Sequence, residues 1–214
     1  MKKLTLAVTL ALATLASAQA ASINGLVNTG TGASGTQDLN YSLTVTQGST
    51  VLGNTNGYIT QNNVWPIGPW MANSADSKWI TPALDQAQSF DPASNGIYKF
   101  SLQFDLTGYN AASASFAGRF AADNAATVVL NGTQIATGVG FTSWSSFGSA
   151  SGFHAGLNTL DFNVLNWQQN GGNPAGLRVE FTASTIAAVP EPGSYAMLLG
   201  GLGLLGLMAR RRKT

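Results

Sequence analysis

The sequence predicts an all-β body built as an antiparallel β-sandwich, and three observations carry that expectation. The second half of the chain is a series of short segments in which apolar and polar residues alternate with period two. Gly-rich turns separate these segments, and Asn131-Gly132 between two of them is the strongest short hairpin signal. No segment of the body has the 3.6-residue apolar period of an amphipathic helix.

In chain order, residues 21–40 are rich in Gly, Thr, Ser and Asn and read as a flexible leader, with one short strand near Ile23 to Val27. The sandwich is expected over residues 41–186. Tyr41, Leu43 and Val45 alternate with Ser42, Thr44 and Thr46, a half-buried strand. Asn62 to Asp91 is less regular and holds three of the five tryptophans among several prolines, so it is expected to pack across one end of the sandwich. Tyr98 to Leu106 is one long strand with an apolar face. Phe116 and Phe120 mark another, with Arg119 facing the other way. Thr127 to Leu130 and Thr133 to Ile135 form the arms of the Asn-Gly hairpin. An aromatic-containing loop, FTSWSSF, precedes two further strands at Leu160 to Val164 and Leu177 to Phe181.

Both ends differ from the body. Lys2 and Lys3, the apolar run Leu4 to Leu15 and Ala18-Gln19-Ala20 read as a signal peptide over residues 1–20, cleaved by signal peptidase after Ala20, with Ala16-Ser17-Ala18 as a second candidate site. At the other end, residues 187–214 hold Pro190-Glu191-Pro192, an uncharged run from Tyr195 to Ala209, and the basic cluster Arg210, Arg211, Arg212 and Lys213. The prolines keep the approach extended and open to proteases. A helix from Gly193 to Ala209 would span about 25 Å, slightly less than a ~30 Å hydrocarbon core, with basic side chains snorkelling to complete a transmembrane span. Positive charge stays on the cytoplasmic side, so the body lies outside.

This tail resembles the C-terminal sorting signal of PEP-CTERM proteins. The resemblance implies recognition and removal by exosortase, a membrane-embedded cysteine protease, with transient anchoring in the inner membrane of a Gram-negative, exopolysaccharide-producing bacterium. The protein would then be released to the envelope or extracellular matrix. In the body, DNAATVVLNGTQI, GLNTLDFNVLNW and GLRVEF resemble the galactose-binding-like jelly rolls, from about Tyr98 to Phe181. Many members of that fold bind carbohydrate and many do not, so fold alone assigns no function.

Composition removes several function classes. Outside the two terminal signals, Lys78, Lys99, Arg119 and Arg178 stand against eight acidic residues, a net charge of −4, so nucleic acid is a poor partner. With no cysteine there is neither thiol chemistry nor a disulfide, and the body must rely on its core. His154 is the only histidine, no serine lies in a nucleophile elbow, and Glu180 is the body's single glutamate. Glu180 alternates beside Arg178 in a strand and reads as part of a solvated face. No catalytic residue and no cofactor is expected. Asp85, Asp91 and Asp123 lie beside turns and leave a structural calcium ion possible.

Tryptophans are the better candidates, because sugar rings stack their C–H faces on flat aromatic surfaces while amides at the rim bond the hydroxyls. Trp65, Trp70, Trp144 and Trp167 all lie in segments rich in Asn, Gln, Ser or Gly, whereas Trp79 is expected in the core. The sequence therefore points to an exported, non-enzymatic β-sandwich that works on carbohydrate in exopolysaccharide or biofilm. The alternative is a structural or adhesive matrix protein with protein partners; an extracellular hydrolase has the least support.

Overall fold

In the computed structural model, residues 20–48, 52–189 and 192–211 are described, with side chains of the last segment described from 199. The expected signal peptide, Pro190, Glu191, Arg212 and Lys213 lie outside the described residues, apart from Ala20. Among the described residues nine strands run β1 (Ala20–Ala21), β2 (Gln37–Gln47), β3 (Asn56–Ile59), β4 (Ile80–Thr81), β5 (Gly96–Asp105), β6 (Tyr109–Leu130), β7 (Thr133–Ser149), β8 (Leu157–Asn166) and β9 (Gly176–Ala188), followed by one helix, α1 (Pro192–Arg211). Every strand pairing is antiparallel, in the order β1-β9-β4-β3-β2-β5-β8-β6-β7. A further pairing of β9 with β6 closes seven of these strands into a barrel-like sandwich, which is the expected jelly-roll class.

Alternation builds the core as the sequence indicates. Tyr98, Phe100, Leu102 and Phe104 of β5 point inward opposite Val164, Phe162 and Leu160 of β8, all nearly or fully buried. Phe120, Val128 and Leu130 of β6 join the same cluster with Val179 and Leu177 of β9. Phe147 meets Phe162 edge-on, with ring centroids 5.4 Å apart. The hairpin forms at the expected Asn131-Gly132, both at positive φ (49° and 84°), as a two-residue primed turn requires.

Several expectations are corrected. Phe116–Phe120 and Thr127–Leu130 belong to one 22-residue strand, β6, whose first half pairs with β9 and whose second half pairs with β8. FTSWSSF lies within β7, with Phe141 to Trp144 bulging out of register with β6. The stretch expected as a flexible leader is docked. Ile23 and Thr29 are buried, no strand forms over Ile23–Val27, and Thr29 exchanges hydrogen bonds with Val179 and Lys78. β2 consequently starts at Gln37, ahead of Tyr41.

The C-terminal run is helical as expected, but the transmembrane span is not found. Among the described residues no helix is long and apolar enough to cross a membrane. Gly200, Gly201, Gly203 and Gly206 dilute the leucines, so each turn carries less apolar surface than a leucine run would. The described side chains of α1 are all exposed, while the body encloses a continuous core of its own. That core runs from Ile23 to Ile186.

Candidate functional site

Three segments shape one end of the barrel: residues 60–79 between β3 and β4, residues 82–95 between β4 and β5, and residues 167–175 between β8 and β9. Their backbones are held by buried amide side chains, which makes this rim a fixed surface.

Trp167 is held at both ends of its peptide. Its N–H donates to Asn124 Oδ1 (2.7 Å), and its carbonyl accepts from Asn173 Nδ2 (2.9 Å). Asn173 is 4 % exposed and also donates to the Phe90 carbonyl (2.8 Å). Gln168 N–H donates to Asn95 Oδ1 (2.8 Å). With its main chain fixed, Trp167 remains 48 % exposed beside Gln168, Gln169 and Asn170. Trp65 is held in a similar way. Gln86, 7 % exposed, donates from Nε2 to the carbonyls of Val64 (2.8 Å) and Trp65 (3.3 Å) and accepts from Gln61 N–H (2.7 Å). Trp65 is 42 % exposed.

The other two candidate rings are placed differently. Trp70 is buried against Trp79, ring centroids 4.5 Å apart, and donates from Nε1 to Asp123 Oδ2 (2.9 Å). Its ring packs on Gly176, where any Cβ would overlap it, so Trp70 is a core residue along with Trp79. Trp144 is half-buried beneath two guanidinium groups, Arg119 and Arg178, whose Cζ atoms lie 4.6 and 4.9 Å from its ring centroid.

A paired irregularity in β6 and β7 accounts for this layer. Ala122 pairs with Gly140 and Ala125 with Val139, so Asp123 and Asn124 are extra residues on β6. Phe120 pairs with Ser145, so Phe141 to Trp144 loop out of β7. Bulges redirect side chains, and here they bring Phe141 and Trp144 onto Trp70 and Trp79 while Met71 N–H donates to the Phe141 carbonyl (3.0 Å). The polar pair Asp123-Asn124, interrupting a run of alanines, was the signal in the sequence; Asn124, Gln86 and Asn173 were not singled out.

The face of Arg178 and Glu180, expected to be solvated, is covered by residues 70–78. Arg178 is 3 % and Glu180 5 % exposed. Glu180 accepts from Ser77 Oγ (2.7 Å), Arg178 Nη2 (3.2 Å) and Arg119 Nε (2.8 Å), and Arg178 also donates to Ser74 Oγ, Ser77 Oγ and the Ala72 carbonyl. Burial alone would raise the Glu180 pKa; the bonds from Ser77 and Arg119 outweigh it and hold the carboxyl below its ordinary value. Burial lowers the Arg178 pKa, against the opposing pull of Glu180.

The three turn aspartates serve separate local roles. Asp85 Oδ1 accepts from Ala87 N–H (3.0 Å). Asp91, at φ 56°, accepts from Tyr98 Oη (2.8 Å) and Asn166 Nδ2 (2.9 Å). Asp123 holds Trp70, and burial pushes its pKa up to about 6. Among the described residues no three His, Cys, Asp or Glu side chains gather to hold a metal ion. His154 is exposed, and its N–H donates to Asn158 Oδ1 (2.8 Å) in the turn before β8.

Residues 188–213 match the PEP-CTERM protein-sorting motif. That motif implies an exported protein, transiently anchored in a membrane and processed by exosortase. No curated protein matches the chain. The body is similar in fold to a family 35 carbohydrate-binding module from an environmental isolate, at 18% identity and TM-score 0.29, over 72% of this chain and 97% of that one. A variant of a family 29 carbohydrate-binding module is similar at 12% identity and TM-score 0.31, over 71% and 99%. A PA14 sugar-binding domain from an RTX adhesin is similar at 20% identity and TM-score 0.26, over 45% of this chain; the chain spans about half (56%) of that domain's length.

Proposed function

We propose that the protein is exported, cut near Pro190-Glu191-Pro192 by an exosortase, and released as a non-catalytic carbohydrate-binding module of the envelope or exopolysaccharide matrix. One observation carries the binding half of this reading. Trp167 presents a half-exposed ring from a backbone bonded at both its N–H and its carbonyl, among Asn and Gln side chains suited to hydroxyl groups. A backbone so fixed loses little entropy when a sugar stacks on the ring it carries. Trp65, on the same rim, supplies a second stacking surface, and Trp144 lies further along the same layer. Trp70 supports the rim from below.

Affinity-gel electrophoresis over a panel of neutral and acidic polysaccharides tests the reading. Retardation of residues 21–189 by at least one polysaccharide, abolished in Trp167→Ala and retained in a variant of an exposed residue on another face such as Leu39→Ala, supports it. Mobility unchanged by every polysaccharide, with the fold intact, favours the structural or adhesive alternative. That alternative draws on a separate observation, the open edge of β7.

A further inference from the structure

Closure of the sheet through β6 and β9 removes the free edges of seven strands. Two described strands stay outside that ring: β1, two residues long, and β7, seventeen residues long. β7 pairs with β6 on one side only. Its other side receives a single backbone hydrogen bond among the described residues, from Met71 N–H to the Phe141 carbonyl. That bond and the looped-out Phe141–Trp144 guard the middle of the strand and leave Thr133–Gly140 as an open eight-residue edge.

Bulges at Ile135 and at Phe141–Trp144 interrupt this edge, but it lacks the chemical protections. Natural sheets deter edge-to-edge pairing with charges, prolines or very short edge strands. β7, TQIATGVGFTSWSSFGS, contains no Lys, Arg, Asp, Glu or Pro. Along the open part Thr137 and Val139 are exposed, Val139 at 63 %. Both are β-branched and favour a strand. The body's eight acidic residues all lie off β7, so its net negative charge is carried elsewhere on the surface.

We infer that Thr133–Gly140 is a self-association edge, pairing antiparallel with the same segment of a second copy about a two-fold axis. The exposed N–H and C=O groups can be satisfied by another strand's backbone. A copy of β7 meets this edge without charge repulsion, and an isologous contact closes as a dimer and does not propagate. The mature protein then carries two sugar-binding rims on one rigid pair, which raises avidity for a repeating polymer. The inference stands on the sheet edge alone and does not depend on the binding reading.

Sedimentation of residues 21–189 across a concentration series, with hydrogen exchange of the β7 amides, tests it. A dimer is expected, with protection of amides in Thr133–Gly140 that deepens as concentration rises. Val139→Lys and Val139→Glu, which alter an exposed side chain, should each keep the wild-type melting transition yet dissociate roughly tenfold more readily. Mixing the two variants should restore the dimer. A wild-type protein that stays monomeric at every concentration overturns the inference. So does a dimer indifferent to both substitutions.

Discussion

Asp123 holds a buried carboxyl: Oδ2 accepts from Trp70 Nε1, and Oδ1 has no hydrogen-bond partner among the described residues. Burial raises its pKa to about 6, with the Trp70 bond pulling the other way. The folded state therefore binds this proton more tightly than the unfolded chain. Its contribution to stability is full below the ordinary carboxylate range and is lost as pH rises through about 6. Two pKa units correspond to about 3 kcal/mol. Urea midpoints should fall between pH 4 and 6, and Asp123→Asn should flatten that slope; an unchanged slope would remove Asp123 as its source. Glu180 works in the opposite sense. Its lowered pKa gives stability that is present above the ordinary carboxylate range and lost as pH falls. Glu180→Ala leaves Arg178 buried without its carboxylate and should cost about 3–5 kcal/mol in denaturant unfolding. A cost within 0.5 kcal/mol, the range of ordinary surface changes, would mean that the cluster is solvated after all. The sequence could not reveal that burial, because Arg178 and Glu180 alternate with apolar residues as a solvent-facing row does. Residues 70–78, distant in sequence, cover them.

Period-two alternation made β5, β8 and β9 legible, and Asn131-Gly132 placed the β6–β7 turn. Legibility failed where alternation stops. The run Ala121–Ala126 has no apolar-polar contrast except Asp123-Asn124, so two segments of one bent strand read as separate strands. FTSWSSF read as a loop because Phe141 and Trp144 pack outward against Trp70 and Trp79, and only Phe147 turns into the main core. The aromatic segment 62–91 was recognised as end-packing, but the fate of each ring depended on tertiary detail: Gly176 admits the Trp70 ring, and Gln86 leaves Trp65 outside. Gly176→Ala should therefore destabilise the body by about 1–3 kcal/mol through overlap with Trp70. Trp65→Ala and Trp167→Ala should each change stability by no more than about 0.5 kcal/mol. Thermal or urea unfolding of the three variants checks this ranking, and a cost at Trp167 comparable to that at Gly176 would place its ring in the core.

Across the whole molecule, the two ends of the body lie side by side. Ala20 pairs with Ala187 and Ala21 with Ile186, and Val189 N–H still donates to the Gly108 carbonyl, one residue before Pro190. The first and last described residues of the body thus share one edge of the sheet. In the native host the mature protein should lack the residues after the Pro-Glu-Pro region; an intact mass that includes Arg210 to Thr214 would contradict processing there. The most direct test of the account is titration of processed protein with the host's own exopolysaccharide, followed by tryptophan emission, beside the Trp65→Ala/Trp167→Ala double variant. The account predicts a saturable change in the wild type that the double variant loses while keeping its unfolding transition. Emission that does not change on titration, or that saturates equally in both proteins, would contradict a stacking site on this rim.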